Sequence, residues 1–407
     1  MNEKLLKKYA KLIVKVGANV QLGQLVVLNV STENKEFARL IVEEAYEAGA
    51  GEVMVQWSDS FVSRQHYFKQ TVEKLEEVPE WTISKAHYIV DNQACFIHID
   101  STIPEIFKDV DGTKIHRSTV ARQLKMEFYQ EYTMANRGQW TIASAPNKYW
   151  AKKLFPNLNE EEAIEKLWQK ILEACRVTKD NDPVLEWEIH NQNLLKHNQV
   201  LNDYNFDRLI FKNKLGTNLS VKLVDNLIWC GGGEYTDKGV YFNPNIPTEE
   251  NFTMPDNKGT EGIVYATKPL NFRGKIIEDF WLKFEKGQVV DFGAKKEQAT
   301  LSDLLNTDEG ARRIGEIALI SHNSPISNTN LLFLTTLFDE NASCHKAVGR
   351  AYPRNIKGGL KMTKDELKAQ NSNHSLVHVD FMFGSADMEI IGVQKGGKKI
   401  PVFKEGN

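Results

Sequence analysis

The sequence predicts an α/β N-terminal domain with a mainly parallel sheet, followed by an α+β C-terminal domain with a mostly antiparallel sheet. In the first half, short β-branched runs alternate with helical patterns, which is typical of a parallel sheet covered by helices. After about residue 205, short strands follow one another through turns that contain Gly and Asn, which is typical of antiparallel pairing. We place the boundary between residues 185 and 186, which gives domains 1–185 and 186–407.

Four strands are predicted in the first half, and each is a short run rich in Val, Ile, Leu or aromatic residues. They lie at QLVVLNV (24–30), EVMVQW (52–57), CFIHID (95–100) and QWTIAS (139–144). Helices are predicted between and after them, because apolar residues recur there at intervals of three and four. The clearest helical patterns lie at the start of the chain and at residues 33–50, 159–177 and 183–204.

The second half begins with a predicted strand, turn and strand in RLIFKNKLGTNLSVKLVDNLIW, where Gly216 and Asn218 supply the turn. Further strands are predicted in GIVYAT (262–267), FRGKIIEDFWLKFEKGQVVDFGA (272–294), ISHNSPISN and HSLVHVDFMFGS (374–385). The C-terminal MEIIGVQKGGKKIPVF predicts a hairpin turned at Gly396 and Gly397. The glycine-rich GGGE (231–234) does not match a phosphate-binding loop, so we assign it no such role.

Composition and charge exclude several classes of protein. The 407-residue chain has a formal net charge of −3, so it lacks the basic surface expected of a nucleic-acid-binding protein. No apolar run reaches the roughly 18 residues needed to span a membrane, and the amphipathic start lacks a signal-peptide pattern. Cys95, Cys175, Cys230 and Cys344 are scattered and form no CxxC pair. We therefore predict free thiols and a cytoplasmic location.

Two candidate metal ligands lie in the predicted strand HSLVHVDFMFGS. Side chains alternate between the faces of a strand, so His378 and Asp380 share one face while Val379 and Phe381 share the other. An imidazole and a carboxylate aimed the same way could bind a cation, or could be incidental polar residues on an exposed face. His374 shares their face in this prediction, but at about 3.3 Å per residue it lies roughly 13 Å from His378. We leave His374 out of the candidate site.

Further candidate ligands are dispersed through the C-terminal half. Glu250 lies in a proline-rich loop, Glu316 in the apolar run GARRIGEIALIS, and Glu340 and His345 in LFDENASCH. Each alone fits a structural role, and Glu316 could form an ion pair with Arg312 on a helix. Together with the two residues on the predicted strand, they form a set of two histidines and four carboxylates. Such a mixture of oxygen and imidazole ligands suits a pair of divalent ions.

Several longer segments resemble a known family. The resemblance rests on NIPTEENFTMPD (245–256), GARRIGEIALIS (310–321), NTNLLFLTTLFDENASCH (328–345), GRAYP (349–353) and HSLVHVDFMFGS (374–385). LGTNLSVKL (215–223) and GTEGIVYATKPL (259–270) also fit, whereas the N-terminal half matches only in its length and βα character. On these segments the chain is similar to the aminopeptidase T/aminopeptidase S/PepS family of dinuclear metalloaminopeptidases.

The resemblance implies a site that holds two divalent metal ions, such as Zn, Co or Mn. The implied ligands are Glu250, Glu316, Glu340, His345, His378 and Asp380. It implies that Glu316 bridges the ions, that Tyr352 is a catalytic residue that is not a ligand, and that the protein is a homodimer. Peptides with a free N-terminus would be the substrates, with Glu250 or Glu340 as general base. A dinuclear phosphoesterase and a non-catalytic α/β binding protein stay open as alternatives.

Overall fold

A computed structural model describes residues 2–273 and 275–407. The helices are α1 Glu3–Leu12, α2 Lys35–Glu47, α3 Ser60–Lys69, α4 Val72–Glu76, α5 Glu80–Asp91, α6 Gly112–Lys125, α7 Glu127–Met134, α8 Lys148–Leu154, α9 Glu160–Ala174, α10 Pro183–Tyr204, α11 Gln298–Leu305, α12 Thr336–Glu340 and α13 Lys364–Ala369. The strands are β1 Leu25–Ser31, β2 Glu52–Ser58, β3 Cys95–Asp100, β4 Trp140–Ser144, β5 Phe206–Lys212, β6 Asn218–Leu223, β7 Glu234–Tyr235, β8 Tyr241–Phe242, β9 Asn251–Thr253, β10 Pro255–Tyr265, β11 Leu270–Phe272, β12 Lys275–Glu285, β13 Gln288–Lys296, β14 Ile314–Leu319, β15 His345–Gly349, β16 His378–Met382, β17 Glu389–Gln394 and β18 Lys399–Phe403.

The first compact unit, Met1–Ile189 with Gly233–Pro247, contains a parallel sheet in the order β2-β1-β3-β4. All three strand pairings in this sheet are parallel. Its strands lie where the four β-branched runs predict them, and helices separate them along the chain. Buried side chains of the strands and of α5, such as Val27, Phe96 and Ile89, pack into one cluster. The predicted α/β class of the N-terminal part is therefore confirmed.

Helix α9 illustrates how local sequence determines these elements. The side chain of Asn159 accepts a hydrogen bond from the backbone N–H of Glu162, and the Glu162 carboxylate accepts one from the backbone N–H of Asn159. This reciprocal cap satisfies backbone donors that have no partner inside the helix. On the inner face, Leu167 and Ile171 are fully buried at the four-residue spacing of a helix.

The second compact unit, His190–Gly232 with Thr248–Asn407, contains two antiparallel sheets. The larger has the order β11-β12-β10-β6-β5-β17-β18, with β13 also paired to β12, and the smaller has the order β16-β15-β14-β9. Apolar side chains of both sheets, among them Phe211, Ile317 and Phe381, form a single core. The prediction of a mostly antiparallel C-terminal part is confirmed.

One predicted strand is wrong. ISHNSPISN, residues 320–328, forms bends and turns and then enters a short 3₁₀ helix. The Ser324 hydroxyl accepts a hydrogen bond from the backbone N–H of Ser327, and the Asn328 side chain donates to that of Asn323. Such local bonds from Ser and Asn compete with strand pairing.

Each compact unit is built from two separate segments of the chain. Gly233–Pro247 belongs to the first unit, although it follows His190–Gly232, which belongs to the second. The domain boundary predicted between residues 185 and 186 stays a prediction. Across residues 2–273 and 275–407, no helix combines the length and the apolar character needed to cross a membrane.

Candidate metal centre

The smaller antiparallel sheet brings four of the candidate ligands to one face. Residues paired directly across strands share a face, and so do residues two apart on one strand. Glu316 on β14 pairs with Ala347 on β15, and Ala347 pairs with Asp380 on β16. His345 lies two residues before Ala347, and His378 lies two residues before Asp380. The four ligand side chains therefore start from the same face of three neighbouring strands.

Glu250 approaches this face from the edge strand. It lies two residues before Phe252 on β9, and Phe252 pairs with Ala318, which lies two residues after Glu316. The alanines Ala318 and Ala347 occupy positions between the ligand-bearing ones. Because these side chains are small, they leave space in which the longer carboxylate and imidazole side chains meet.

A β-bulge lies directly before Glu316. The register of β14 against β15 shifts between Ile314 and Glu316, and Gly315 lies at the shift. A Cβ atom on Gly315 would lie only 2.3 Å from the carbonyl oxygen of Gly349, so this close approach of backbone requires glycine. Bulges change the direction of the side chains beside them, and here the affected side chain is that of Glu316.

The ligand atoms form two groups that share Glu316. One group is Glu250, Glu316 and His345, the other is Glu316, His378 and Asp380, and the ligand atoms in each lie within 4.8 Å of one another. His345 Nε2 lies 3.3 Å from Glu250 Oε2 and 3.5 Å from Glu316 Oε1. His378 Nε2 lies 3.7 Å from Glu316 Oε2 and 3.4 Å from Asp380 Oδ2. The two oxygens of Glu316 thus face different histidines, as in a bridging carboxylate.

Backbone carbonyl groups orient both imidazole rings. Nδ1 of His345 lies 2.8 Å from the carbonyl oxygen of Glu340, and Nδ1 of His378 lies 2.7 Å from that of Arg350. A carbonyl oxygen can only accept, so each Nδ1 carries the hydrogen, and in a neutral ring Nε2 keeps its lone pair. Histidines that bind metal ions are held by such bonds, which fix both the ring and its tautomer.

The residues present fit divalent cations. The side chains of His345, Glu316 and Asp380 are only 1%, 5% and 9% exposed. Glu316 Oε2 and Asp380 Oδ1 accept no hydrogen bond from any described residue. Burying carboxylate oxygens without a partner is costly, and a bound cation offsets that cost. Oxygen and imidazole ligands together suit ions such as Zn, Co and Mn.

The carboxylates and histidines of the two ligand groups strongly affect one another's pKa values. Burial raises the pKa of Glu316 above its ordinary value, although His345 opposes this. Burial disfavours the charged imidazolium of His378, but Asp380, Glu316 and the carbonyl of Arg350 together outweigh burial and raise the pKa of His378 to about 10. For His345, burial is likewise outweighed by Glu250 and Glu316, so its pKa lies well above the usual value. The carboxylates thus attract positive charge strongly, and protons and metal cations compete for the same place.

Two further predicted residues lie beside the groups and belong to neither. Glu340 is the last residue of α12, and burial, followed by repulsion from Asp380, raises the pKa of its carboxyl group well above the ordinary value. The Tyr352 ring centroid lies 4.6 Å from that of His378. All seven predicted site residues therefore lie in one region of the second unit, and their roles stay predictions.

His374 lies outside this region. Strand β16 begins at His378, so the prediction that His374 belongs to the strand is wrong, and its side chain is exposed. The cause is Asp308, whose carboxylate accepts hydrogen bonds from the backbone N–H of Leu376 and the hydroxyl of Ser375. These bonds hold the segment before β16 away from strand pairing.

The predicted alternative in which Arg312 pairs with Glu316 on a helix is wrong. Glu316 lies on strand β14, while Arg312 ends a short 3₁₀ helix. The Arg312 guanidinium donates instead to the carbonyl oxygen of Val289 and to the side chain of Asn306.

Sequence reasoning missed the contribution of Asn251, next to Glu250. Its buried side chain donates to the carbonyl oxygen of Leu194, at 3.0 Å, and to the side chain of Asn198, at 2.7 Å. These bonds fix the start of β9 to α10 and so hold Glu250 in place. A polar residue at the start of a buried strand is a signal that could have indicated this role. The carbonyl groups that orient the histidines leave no such signal.

Comparisons with known proteins identify the family of this chain. The sequence matches the thermophilic metalloprotease (M29) family over residues 2–407. Aminopeptidase AmpS of Bacillus subtilis (strain 168) is 44% identical over 402 residues, covering 99% of this chain and 98% of its own length. Aminopeptidase T of Thermus aquaticus is 37% identical over 404 residues, with 98% and 97% covered. The structure of wild-type AmpT from Thermus thermophilus matches with a TM-score of 0.93 at 35% identity, covering 100% of this chain and 99% of that chain. These matches confirm the resemblance read from the motifs, and the chain belongs to the M29 family of metalloproteases.

Proposed function

We propose that this protein is a metal-dependent aminopeptidase that removes the first residue of a peptide and binds two divalent ions per chain. The observation that supports this most strongly is the pair of ligand groups that share Glu316. The relatives named above are aminopeptidases, and the family is one of metalloproteases. Peptides with a free N-terminus are accordingly the proposed substrates.

The proposed ligands divide between the two ions. Glu250 and His345 would hold one ion, His378 and Asp380 the other, and Glu316 both. Glu340 is the sixth proposed ligand, because its buried carboxylate interacts with those of Asp380, Glu250 and Glu316. When bound, two such ions lower the pKa of a shared water molecule and polarise the scissile carbonyl group. Zn, Co and Mn all suit this ligand set.

The chain's own side chains would move the protons and place the substrate. Glu340 fits the general base, because it lies in neither three-residue group and its carboxylate would be the least committed to the ions. The Tyr352 hydroxyl would donate a hydrogen bond to the substrate's carbonyl oxygen as negative charge develops there. One of the carboxylates at the site would bind the ammonium group of the substrate's first residue. This contact would limit cleavage to the bond that follows that residue.

Three chromogenic substrates test this function. Leucine p-nitroanilide offers a free amine, its N-acetylated form removes the positive charge, and p-nitrophenyl phosphate tests phosphoester cleavage. We expect rapid release from the first and release at least about 100-fold slower from the second, because acetylation removes the ammonium contact. Equal hydrolysis of both amides would contradict an aminopeptidase, and preference for the phosphate would support the alternative enzyme.

The phosphoesterase alternative needs cationic side chains beside the metal ions, because phosphate groups carry negative charge. Lys346 follows His345 in the sequence, but its ammonium nitrogen lies 3.9 Å from the Phe211 ring centroid and 4.3 Å from that of Phe383. Arg350 directly follows β15, and its Nε donates to the carbonyl oxygen of Ser375. A non-catalytic binding protein is also disfavoured, since the polar side chains of the site are largely buried together rather than spread over a surface.

Replacing Tyr352 with Phe is expected to keep both metal ions and to lower kcat by about 10²–10³-fold, with little change in KM. The substitution removes only the hydroxyl, and the ring can still pack against His378. Metal content and kcat measured on one preparation decide the outcome. Lost metal would make Tyr352 a structural residue, and an unchanged kcat would remove it from the mechanism.

We also propose a cytoplasmic location and a homodimer. The location is supported by Cys95, Cys175, Cys230 and Cys344, which are all free thiols, as is usual in a reducing compartment. The homodimer is supported by the family resemblance of the motifs. Light scattering on the purified protein measures its mass and tests the dimer.

A further inference from the structure

The Tyr352 ring has a charged neighbour that the mechanism above does not use. The guanidinium carbon of Arg354 lies 5.0 Å from the Tyr352 ring centroid and 4.8 Å from that of Phe252. The Tyr352 and Phe252 rings meet at 73°, with their centroids 6.3 Å apart. One guanidinium therefore lies over both rings, in the angle between them.

The turn that carries Arg354 is fixed to the ligand-bearing sheet. Pro353–Asn355 forms a 3₁₀ helix directly after Tyr352. The buried Asn355 side chain donates to the carbonyl oxygens of Ile228 and Phe252, each at 3.2 Å, and the backbone carbonyl of Asn355 accepts from the Ile228 N–H at 2.7 Å. Arg354 thus reaches the rings from an anchored backbone, with no flexible loop between them.

The charge on Arg354 persists at neutral pH. Burial lowers its pKa from the ordinary value, with the nearby Cys230 thiol opposing this, but only to about 10. A planar, permanently charged guanidinium is well suited to hold aromatic rings, because it stacks on them and is attracted to their electron-rich faces.

We infer that Arg354 is a positioning residue, which fixes the direction of the Tyr352 hydroxyl by stacking on the Tyr352 ring. This inference rests on the proposed role of that hydroxyl in the reaction. Rotation about the Cα–Cβ bond moves the Tyr352 hydroxyl, and the His378 and Phe252 rings limit that rotation only from the positions they occupy. Without the guanidinium, the hydroxyl spends less time where a hydrogen bond to the substrate would form, and small misplacements are costly in catalysis.

A double-mutant cycle separates positioning from general stabilisation. Arg354→Met keeps a long, flexible side chain and removes the charged plane. We expect it to lower kcat about tenfold in the wild-type background, with KM and metal content little changed. In the Tyr352→Phe background we expect no further loss, because there is no hydroxyl left to direct. Arg354→Lys, which keeps the charge but not the plane, should recover part of the lost rate.

Fluorine NMR provides a measurement that does not depend on activity. In protein labelled with 3-fluorotyrosine, the Tyr352 signal is assigned by its absence from the Tyr352→Phe variant. The fluorine signal reports whether the ring, and with it the hydroxyl, exchanges between positions set by rotation about the Cα–Cβ bond. We expect a narrow signal in the wild type and a broadened or additional signal in Arg354→Met.

Arg273→Met is a matched control, since Arg273 also stacks on a ring, that of Phe272 at 4.9 Å, but is exposed on a hairpin turn. We expect it to change neither kcat nor the Tyr352 signal. An equal loss of kcat from Arg354→Met in both backgrounds, or an unaltered Tyr352 signal, would overturn the inference about Arg354. The proposed role of the Tyr352 hydroxyl would be unaffected. If Tyr352→Phe keeps full activity, the proposed role of the hydroxyl fails, and the inference fails with it.

Discussion

Removal of metal with a chelator should abolish aminopeptidase activity, and addition of about two equivalents of Zn, Co or Mn per chain should restore it. The physical reason is the ligand set itself. Four carboxylates and two imidazoles are gathered in one mostly buried place, and Glu316 Oε2 and Asp380 Oδ1 have no hydrogen-bond donor among the described residues. Metal analysis of the same samples relates activity to occupancy.

A mock-treated sample, dialysed without chelator, controls for losses that handling causes. Thermal unfolding of both samples shows whether the metal-free chain is still folded, which separates loss of chemistry from loss of structure. Full activity in a preparation shown to contain no metal would rule out the metallopeptidase mechanism.

The second large effect is expected from Glu316→Gln. The two oxygens of Glu316 face the two histidines, so neutralising this side chain should weaken both proposed ion sites at once. We expect kcat/KM to fall by more than the roughly 10–100-fold typical of groups that only support metal ligands. The metal content should fall below two ions per chain.

Glu249→Gln is the matched control, because it makes the same chemical change in another largely buried glutamate. Glu249 Oε2 lies 3.9 Å from Nε2 of His190, outside both ligand groups, and its backbone N–H donates to the side chain of Asn341. We expect an effect of no more than about tenfold, at the lower end for supporting groups. If the two variants had the same kinetics, the bridging carboxylate would have been assigned wrongly.

Much of the fold could be predicted because its signals are local. The four β-branched runs became the parallel strands, and the helical pattern at 183–204 became α10 over the same residues. His378 and Asp380 share a face because strand alternation is also local. The prediction that the strand begins at His374 was wrong because a distant residue, Asp308, forms hydrogen bonds with the segment before β16.

The assembly of the site could not be read from spacing alone. Glu316 faces two histidines only because β14 pairs with β15, β15 with β16, and a bulge re-aims its side chain. Strand pairing of this kind is long-range, and a lone sequence does not indicate which strands become neighbours. The burial of Lys346 could not be predicted from the sequence either. A lysine is ordinarily expected at the surface, and this one is fully buried with its ammonium group over two aromatic rings.

The dispersal of the proposed ligands along the chain would link the supply of metal to the lifetime of the protein. The proposed ligands, from Glu250 to Asp380, come together only where the strands of the smaller sheet pair, so the ions would bind the folded chain and find no comparable site in the unfolded one. Ligands that bind only the folded state stabilise it by mass action, by about 2.7 kcal/mol at a free concentration 100 times the dissociation constant. A metal-starved cell would therefore hold a larger unfolded fraction, which proteases degrade first. Metal availability would in this way regulate the amount of enzyme as well as its activity.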